Sequence, residues 1–114
     1  MDLQDTLALK CPIIFRDGCL VCGLECPPGW ERLVLALSQE LERYAKAYNP
    51  DLIVEQVKPK FGGLRYYVSP HDPEAEKIIM RAEAESFETC EECGKPGKVG
   101  GKSWVRTLCP SHAS

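Results

Sequence analysis

Histidine is scarce in this chain: His71 and His112 are the only two among 114 residues. Imidazole most often carries acid–base work near neutral pH. Neither histidine belongs to a paired acid–base motif, so an enzyme is not expected. The zinc-deaminase pattern, H-x-E with P-C-x-x-C, is missing as well. His71 is followed by Asp72, Pro73 and Glu74, and Thr89 rather than proline precedes Cys90. Long apolar stretches are also lacking. No run approaches the ~20 residues that cross a bilayer. The opening MDLQDTLALK has no basic segment leading into an apolar leader core. The expected compartment is therefore the cytoplasm, where thiols stay reduced. Positive charge is not in excess: 14 Lys and Arg face 17 Asp and Glu, for a net charge of −3 and a pI near 5.4. That speaks against sequence-independent nucleic-acid binding through a broad basic face. No repeat and no long linker divides the chain, so residues 1–114 read as one domain.

What the chain has in quantity is cysteine, seven in all. A domain this small has a thin core and often needs a metal or disulfide staple. Cys90, Cys93, Cys109 and His112 form C-x2-C-x15-C-x2-H. Three thiolates and an imidazole suit a tetrahedral zinc ion, and a two-residue gap lets one tight turn aim both sulfurs at it. Gly94, after the second cysteine, suits a positive-φ position in such a knuckle. Four protein ligands close the site, which points to structural rather than catalytic zinc. Cys11, Cys19, Cys22 and Cys26 remain, at spacings x7, x2 and x3. Seven thiols and one histidine would fill two tetrahedra, so these four are candidate ligands of a second zinc. Buried or free thiols are the competing reading, and a redox pair at Cys19 and Cys22 a third. Adding −1 for a three-thiolate zinc site and −2 for a four-thiolate one to the formal −3 leaves about −6, which makes phosphate-backbone binding less attractive still.

Periodicity organises the middle. Residues 1–26 show no clear period and read as an irregular, cysteine-rich segment with a short hairpin near Asp17-Gly18. Residues 27–89 read as a helix–hairpin–helix core. In the first helix, 29–48, Trp30, Leu33, Val34, Leu37, Leu41, Tyr44, Ala45 and Tyr48 recur at helical spacing, and Asn49-Pro50 stops it. The runs LIVEQVK and LRYYVS flank PKFGG and predict a β-hairpin, with Tyr66 and Tyr67 on opposite faces. Asp72 and Pro73 open a second helix whose buried face would be Ala75, Ile78, Ile79, Ala82 and Phe87. Residues 90–112 make the zinc module, with a short strand in SWVRTL. The expected class is α+β: two helices packed on a small antiparallel sheet, with a C-terminal zinc-ribbon or treble-clef-like module.

The hairpin allows two readings. Lys58, Lys60 and Arg65 surround Phe61 without an intervening acid, which suits a loop presented to a partner or a phosphate. Alternatively, Phe61 and Leu64 pack on the helix while the cations are solvated. His71 reads as a surface loop residue.

Together, Gly29-Trp30 at the helix start, the hairpin Lys58-x-Lys60-Phe61-Gly62-Gly63-Leu64-Arg65-Tyr66-Tyr67, and the tail residues Cys90, Cys93, Gly94, Trp104, Cys109 and His112 resemble a family of short zinc-binding proteins. Its members are carried by tailed phages, prophages and related bacterial genomes. The resemblance covers about residues 22–112; Cys11 and Cys19 lie outside the shared pattern. It implies a small accessory protein inside a bacterial cell, acting on a host process. The leading expectation is thus a non-enzymatic interaction protein that binds and inhibits a bacterial host machine such as a defence system. The alternative is a nucleic-acid-binding regulatory module using Lys58, Lys60 and Arg65, with Lys95, Lys98 and Lys102.

Overall fold

The computed structural model describes residues 2–101 and 104–113. The class is α+β. Helix α2 (Glu31–Tyr48) is entered through a single 3-10 turn, Pro28–Trp30. Strands β2 (Ile53–Lys60) and β3 (Gly63–Ser69) form the expected hairpin. Helix α3 (Pro73–Ser86) follows, capped by the Asp72 carboxylate, which accepts from the amides of Glu74 and Ala75 at 3.0 and 3.2 Å. That carboxylate also receives the Tyr44 hydroxyl and the Asn49 amide, so one buried acid joins the end of α2 to the start of α3.

The core lies between the helices and one face of the sheet. Trp30, at the end of the 3-10 turn, continues into the buried stripe Val34, Leu37, Leu41 and Ala45 of α2, and Val54, Val57, Leu64 and Tyr66 are buried on the strands. Each fully buried aliphatic or aromatic side chain contributes about 1.5–3 kcal/mol of transfer free energy. Ser38 Oγ and the Tyr66 hydroxyl, both buried, satisfy each other at 2.8 Å. Tyr67 is on the opposite, open face, as alternation requires. Tyr48 departs from the expected stripe: it is 79% exposed at the last turn of α2, beyond the reach of the sheet, and stacks obliquely on Tyr44. Helix α3 lies along the outer edge of β3. There Ser86 Oγ accepts from Leu64 N and the Glu83 carboxylate from Tyr66 N, covering amides that would otherwise offer a pairing edge.

The N-terminal segment differs from its sequence reading. Helix α1 (Leu3–Lys10) is capped by Asp2 and docks on α2 through Leu7, its one buried residue. No hairpin forms at Asp17-Gly18. Residues 11–19 run through turns held by distant side chains. Glu42 accepts the amides of Ile13 and Ile14, and the Arg16 guanidinium donates to the carbonyls of Ile13, Pro50, Asp51 and Leu52. The chain then adds a two-residue strand, β1 (Gly23–Leu24), parallel to β2. The sheet is therefore mixed, in the order β1-β2-β3, rather than purely antiparallel.

Candidate metal centre

After α3 the backbone turns sharply. Cys90 N donates to Lys95 O at 2.8 Å and Gly94 N to Cys90 O at 2.9 Å, with Gly94 at φ +82° as expected of a knuckle. A second ribbon follows, β4 (Lys98–Gly100) paired antiparallel with β5 (Arg106–Leu108). The strand expected in SWVRTL is shorter than that run. Trp104 lies in a bend before β5, and Ser103 is outside the described residues. Cys109 follows β5, and a last turn, His112 N to Cys109 O, returns the imidazole toward the sulfurs.

The four donor atoms of Cys90, Cys93, Cys109 and His112 all lie within 4.8 Å of one another. Cys93 Sγ and Cys109 Sγ are 3.6 Å apart, and His112 Nδ1 is 3.6 Å from Cys90 Sγ and 3.2 Å from Cys109 Sγ. A tetrahedron with metal–sulfur bonds of about 2.3 Å and metal–nitrogen bonds of about 2.0 Å has edges of roughly 3.5–3.8 Å. The residues present thus fit a tetrahedral ion, and none of these sulfurs is in a disulfide.

The electrostatics agree. Burial opposes ionisation of Cys90, yet the backbone amides of Cys109, Cys93 and Glu92 outweigh it and hold the thiol down at about 6. Cys109 is also lowered: burial opposes, and its bonds to His112 and Cys93 prevail. The Lys95 amide favours the Cys93 thiolate, but burial and the two neighbouring sulfurs push that group up. His112 is raised by its bonds to Cys109 and Cys90. Crowded thiolates that resist joint ionisation are the environment a divalent cation relieves.

Cys11, Cys19, Cys22 and Cys26 are not gathered in the same way. Among the described residues, three or more ligand atoms approach one another only at the C-terminal cluster. Cys11 is buried in the core, Cys19 and Cys26 are half-buried, and Cys22 is exposed. Burial pushes Cys11 up to about 11 and Cys26 up to about 12. The second zinc site read from the ligand count is therefore not assembled. The helix–turn path of residues 3–20 takes these thiols to different environments, and Cys11 and Cys26 sit where the neutral thiol is favoured.

The cluster is clamped to the rest of the molecule. Gly29 N donates to Glu91 O at 2.7 Å, and the Trp30 indole donates to Thr89 O at 2.8 Å. Glu91, inside the knuckle, accepts from Thr107 N at 2.7 Å, and Thr107 Oγ1 donates to Gly62 O at 2.6 Å. One chain of bonds thus joins the metal knuckle, β5 and the tip of the β2–β3 hairpin.

That tip is the surface the sequence had marked. Lys60 pairs with Gly63, leaving Phe61 and Gly62 as a two-residue turn at φ +54° and +83°, the type I′ signature. Phe61 does not pack on the helix. It is 70% exposed, with Lys60 Nζ 5.7 Å above its ring, whereas Leu64 is buried as expected. Lys58 and Arg65 stand directly opposite each other on the open face of the ladder. Beside the tip, Pro27, Pro28, Pro59, Phe61, Trp104 and Val105 help to line a groove of about 670 Å³. Trp104, 78% exposed, was a family-pattern residue with no assigned role. A single tryptophan in a loop leaves no periodic signal, and the groove is built from four separate segments. Lys95 and Lys98 are exposed on the metal module; Lys102 lies outside the described residues. His71 is an exposed loop residue. Among the described residues no helix is long and apolar enough to cross a membrane.

No family model, curated protein or solved structure matches this chain. The metal count checks the site directly. Native mass spectrometry is expected to find a bound metal ion on the folded chain and one fewer after Cys90→Ser. A metal-free wild-type chain with an intact fold would overturn the assignment.

Proposed function

We infer that this chain is a zinc-stabilised, non-enzymatic protein-binding module that acts inside a bacterial cell. By its resemblance to the phage family it binds and inhibits a host protein machine such as a defence system. Zinc is the metal that three thiolates and one imidazole in a tetrahedron favour. Four protein ligands leave no open coordination position, which supports a folding role for the ion rather than a chemical one.

The observation that carries the binding role is Phe61. A type I′ turn prefers Asn-Gly, because both central residues need positive φ. This turn instead holds a bulky aromatic in the left-handed region and exposes its ring. Such placement costs about 1 kcal/mol or more in backbone strain and exposes apolar surface, with only the exposed contact to Lys60 in return. Local rules broken in this way concentrate at functional sites. Beside the exposed Trp104, it supplies the aromatic anchors that dominate protein interfaces.

Phe61→Asn tests this with opposite signs. The variant is expected to melt a few degrees higher, by relief of strain, while losing the protein that zinc-loaded wild type retains from a bacterial lysate. A variant that retains the same protein equally well would remove Phe61 from the binding surface and the reading with it.

A further inference from the structure

Resting on that reading, we propose that the tip groove takes an acidic, extended segment of the partner protein. Its apolar side chains lie against Phe61 and Trp104, and its carboxylates meet Lys58, Lys60 and Arg65.

Charge supplies the first argument. Lys58 and Arg65 are cross-strand neighbours, an arrangement that destabilises a ladder when the charges are alike. Among the described residues neither they nor Lys60 form an ion pair. Burial pushes the Glu83 carboxyl up, and the Tyr66 amide and nearby Arg65 oppose that, but Arg65 and Glu83 stay beyond pairing distance. The three cations are therefore available to a ligand, on a chain whose net charge is −3. Lys60 connects them to the groove, since it ends the ladder and also lines the cavity.

Apart from Lys60, the charges that line the groove are already committed. Glu91 is 4% exposed, bonded to the Thr107 amide and 3.6 Å from Arg106, and Arg106 is further paired with Glu92. Besides Lys60 and Gly62, the remaining walls are proline, aromatic and valine side chains with few rotamers to lose, and the turn is pinned through Thr107. Low ordering cost and an aromatic floor suit an extended peptide rather than a helix, which needs a longer apolar trough. On the far side of β2, Glu25 follows β1 and donates its amide to Val57 O. An acid therefore borders the patch there, and an acidic ligand is directed toward the tip and Trp104 rather than across β1. A polynucleotide would need more phosphate contacts than three cations on an acidic protein offer.

The probes are synthetic twelve-residue peptides in which Glu alternates with Pro and Leu, the same peptide with Gln for Glu, a Lys version, and oligo(dT) and oligo(U). Titration against zinc-loaded full-length protein follows Trp fluorescence and anisotropy. The Glu peptide is expected to bind, to weaken about tenfold or more with Gln for Glu, and to weaken similarly in the Lys58→Ala/Lys60→Ala/Arg65→Ala variant. That variant should keep its metal and melt at or above wild type, because it removes like-charge repulsion. Equal binding of the Glu and Gln peptides, binding untouched by the triple variant, or preferential binding of either oligonucleotide would overturn the proposal. If the lysate partner is lost with Phe61→Asn while the Glu peptide fails to bind, the binding role stands and the acidic-segment assignment falls.

Discussion

Removing the metal is expected to lower the melting temperature by roughly 10–20 °C and to loosen the hairpin tip together with the tail. For a closed structural site, metal-binding free energy is folding free energy, and losing several kcal/mol of it shifts the melt of a small domain by that order. The tip should respond because it is held through the site. Cys90 and Cys93 bracket Glu91, Glu91 holds Thr107, and Thr107 holds Gly62. Helix α2 and the Val54, Val57, Leu64 and Tyr66 face should suffer less, since their burial does not depend on the ion. Deleting the chain from His112 onward sharpens the test. Three thiolates would remain with one position open to water, so zinc should bind more weakly and the melt should fall part of the way. Melting curves of wild type and the deletion, each with and without a chelator, give four values. Hydrogen exchange at Lys60 and Gly63, the ladder pair that closes the turn, reports on the tip. If the deletion leaves both zinc affinity and melting unchanged, His112 is not a ligand and the closed-site argument against catalysis is lost. If chelation unfolds the tail but leaves exchange at the tip unaltered, the Glu91–Thr107–Gly62 chain carries no coupling.

How much of this was legible in the sequence depends on where each element's information resides. Helix α2 announces itself because Trp30, Val34, Leu37, Leu41 and Ala45 recur at helical spacing and are buried at the positions that spacing names. Helix α3 is marked by its cap, Asp72-Pro73, and the hairpin by β-rich runs around two glycines. The candidate metal ligands are legible because coordination chemistry restricts residue types and gaps. Helix α1 is not, since it buries only Leu7 and so has no period to find. The turns before β1 are set by bonds that reach about 30 residues along the chain: Glu42 on α2 accepts from Ile13 and Ile14, and Arg16 donates to the loop after α2. Counting ligands suggested a second metal for Cys11, Cys19, Cys22 and Cys26, but a count contains no geometry. The groove was invisible for the same reason: Pro27, Phe61 and Trp104 come together only when the metal module docks on the start of α2.

That docking is the basis of the last large effect, expected from Gly29→Ala. Gly29 ends the Pro-Pro-Gly approach to α2, and its amide donates to Glu91 O at 2.7 Å. Its φ is not in the positive region, so flexibility is not what the position requires. Space is. A Cβ there would overlap the Cys90 carbonyl and lie 2.7 Å from both the Glu91 carbonyl carbon and Gly94 N. Every one of those atoms is backbone of the knuckle that holds two of the four ligands, so no side-chain rotation can relieve the clash. Either the knuckle moves away from α2, breaking the Gly29–Glu91 and Trp30–Thr89 bonds, or it deforms and misaligns Cys90 and Cys93. Both routes are costly: overpacking against rigid atoms is worth about 1–3 kcal/mol and the two lost bonds about 1 kcal/mol each. The variant should melt roughly 10 °C or more below wild type and bind zinc at least about tenfold more weakly in competition with a chromophoric chelator. Gly100→Ala is the matched control within the metal module, because a Cβ there meets nothing within 4 Å and its φ is not positive. It should behave as wild type in both measurements. Were Gly29→Ala to behave like Gly100→Ala, the knuckle would not be seated on the helix start as tightly as these contacts require. The groove between them would then have one movable wall, and the pre-organised recognition proposed for it would lose its physical basis.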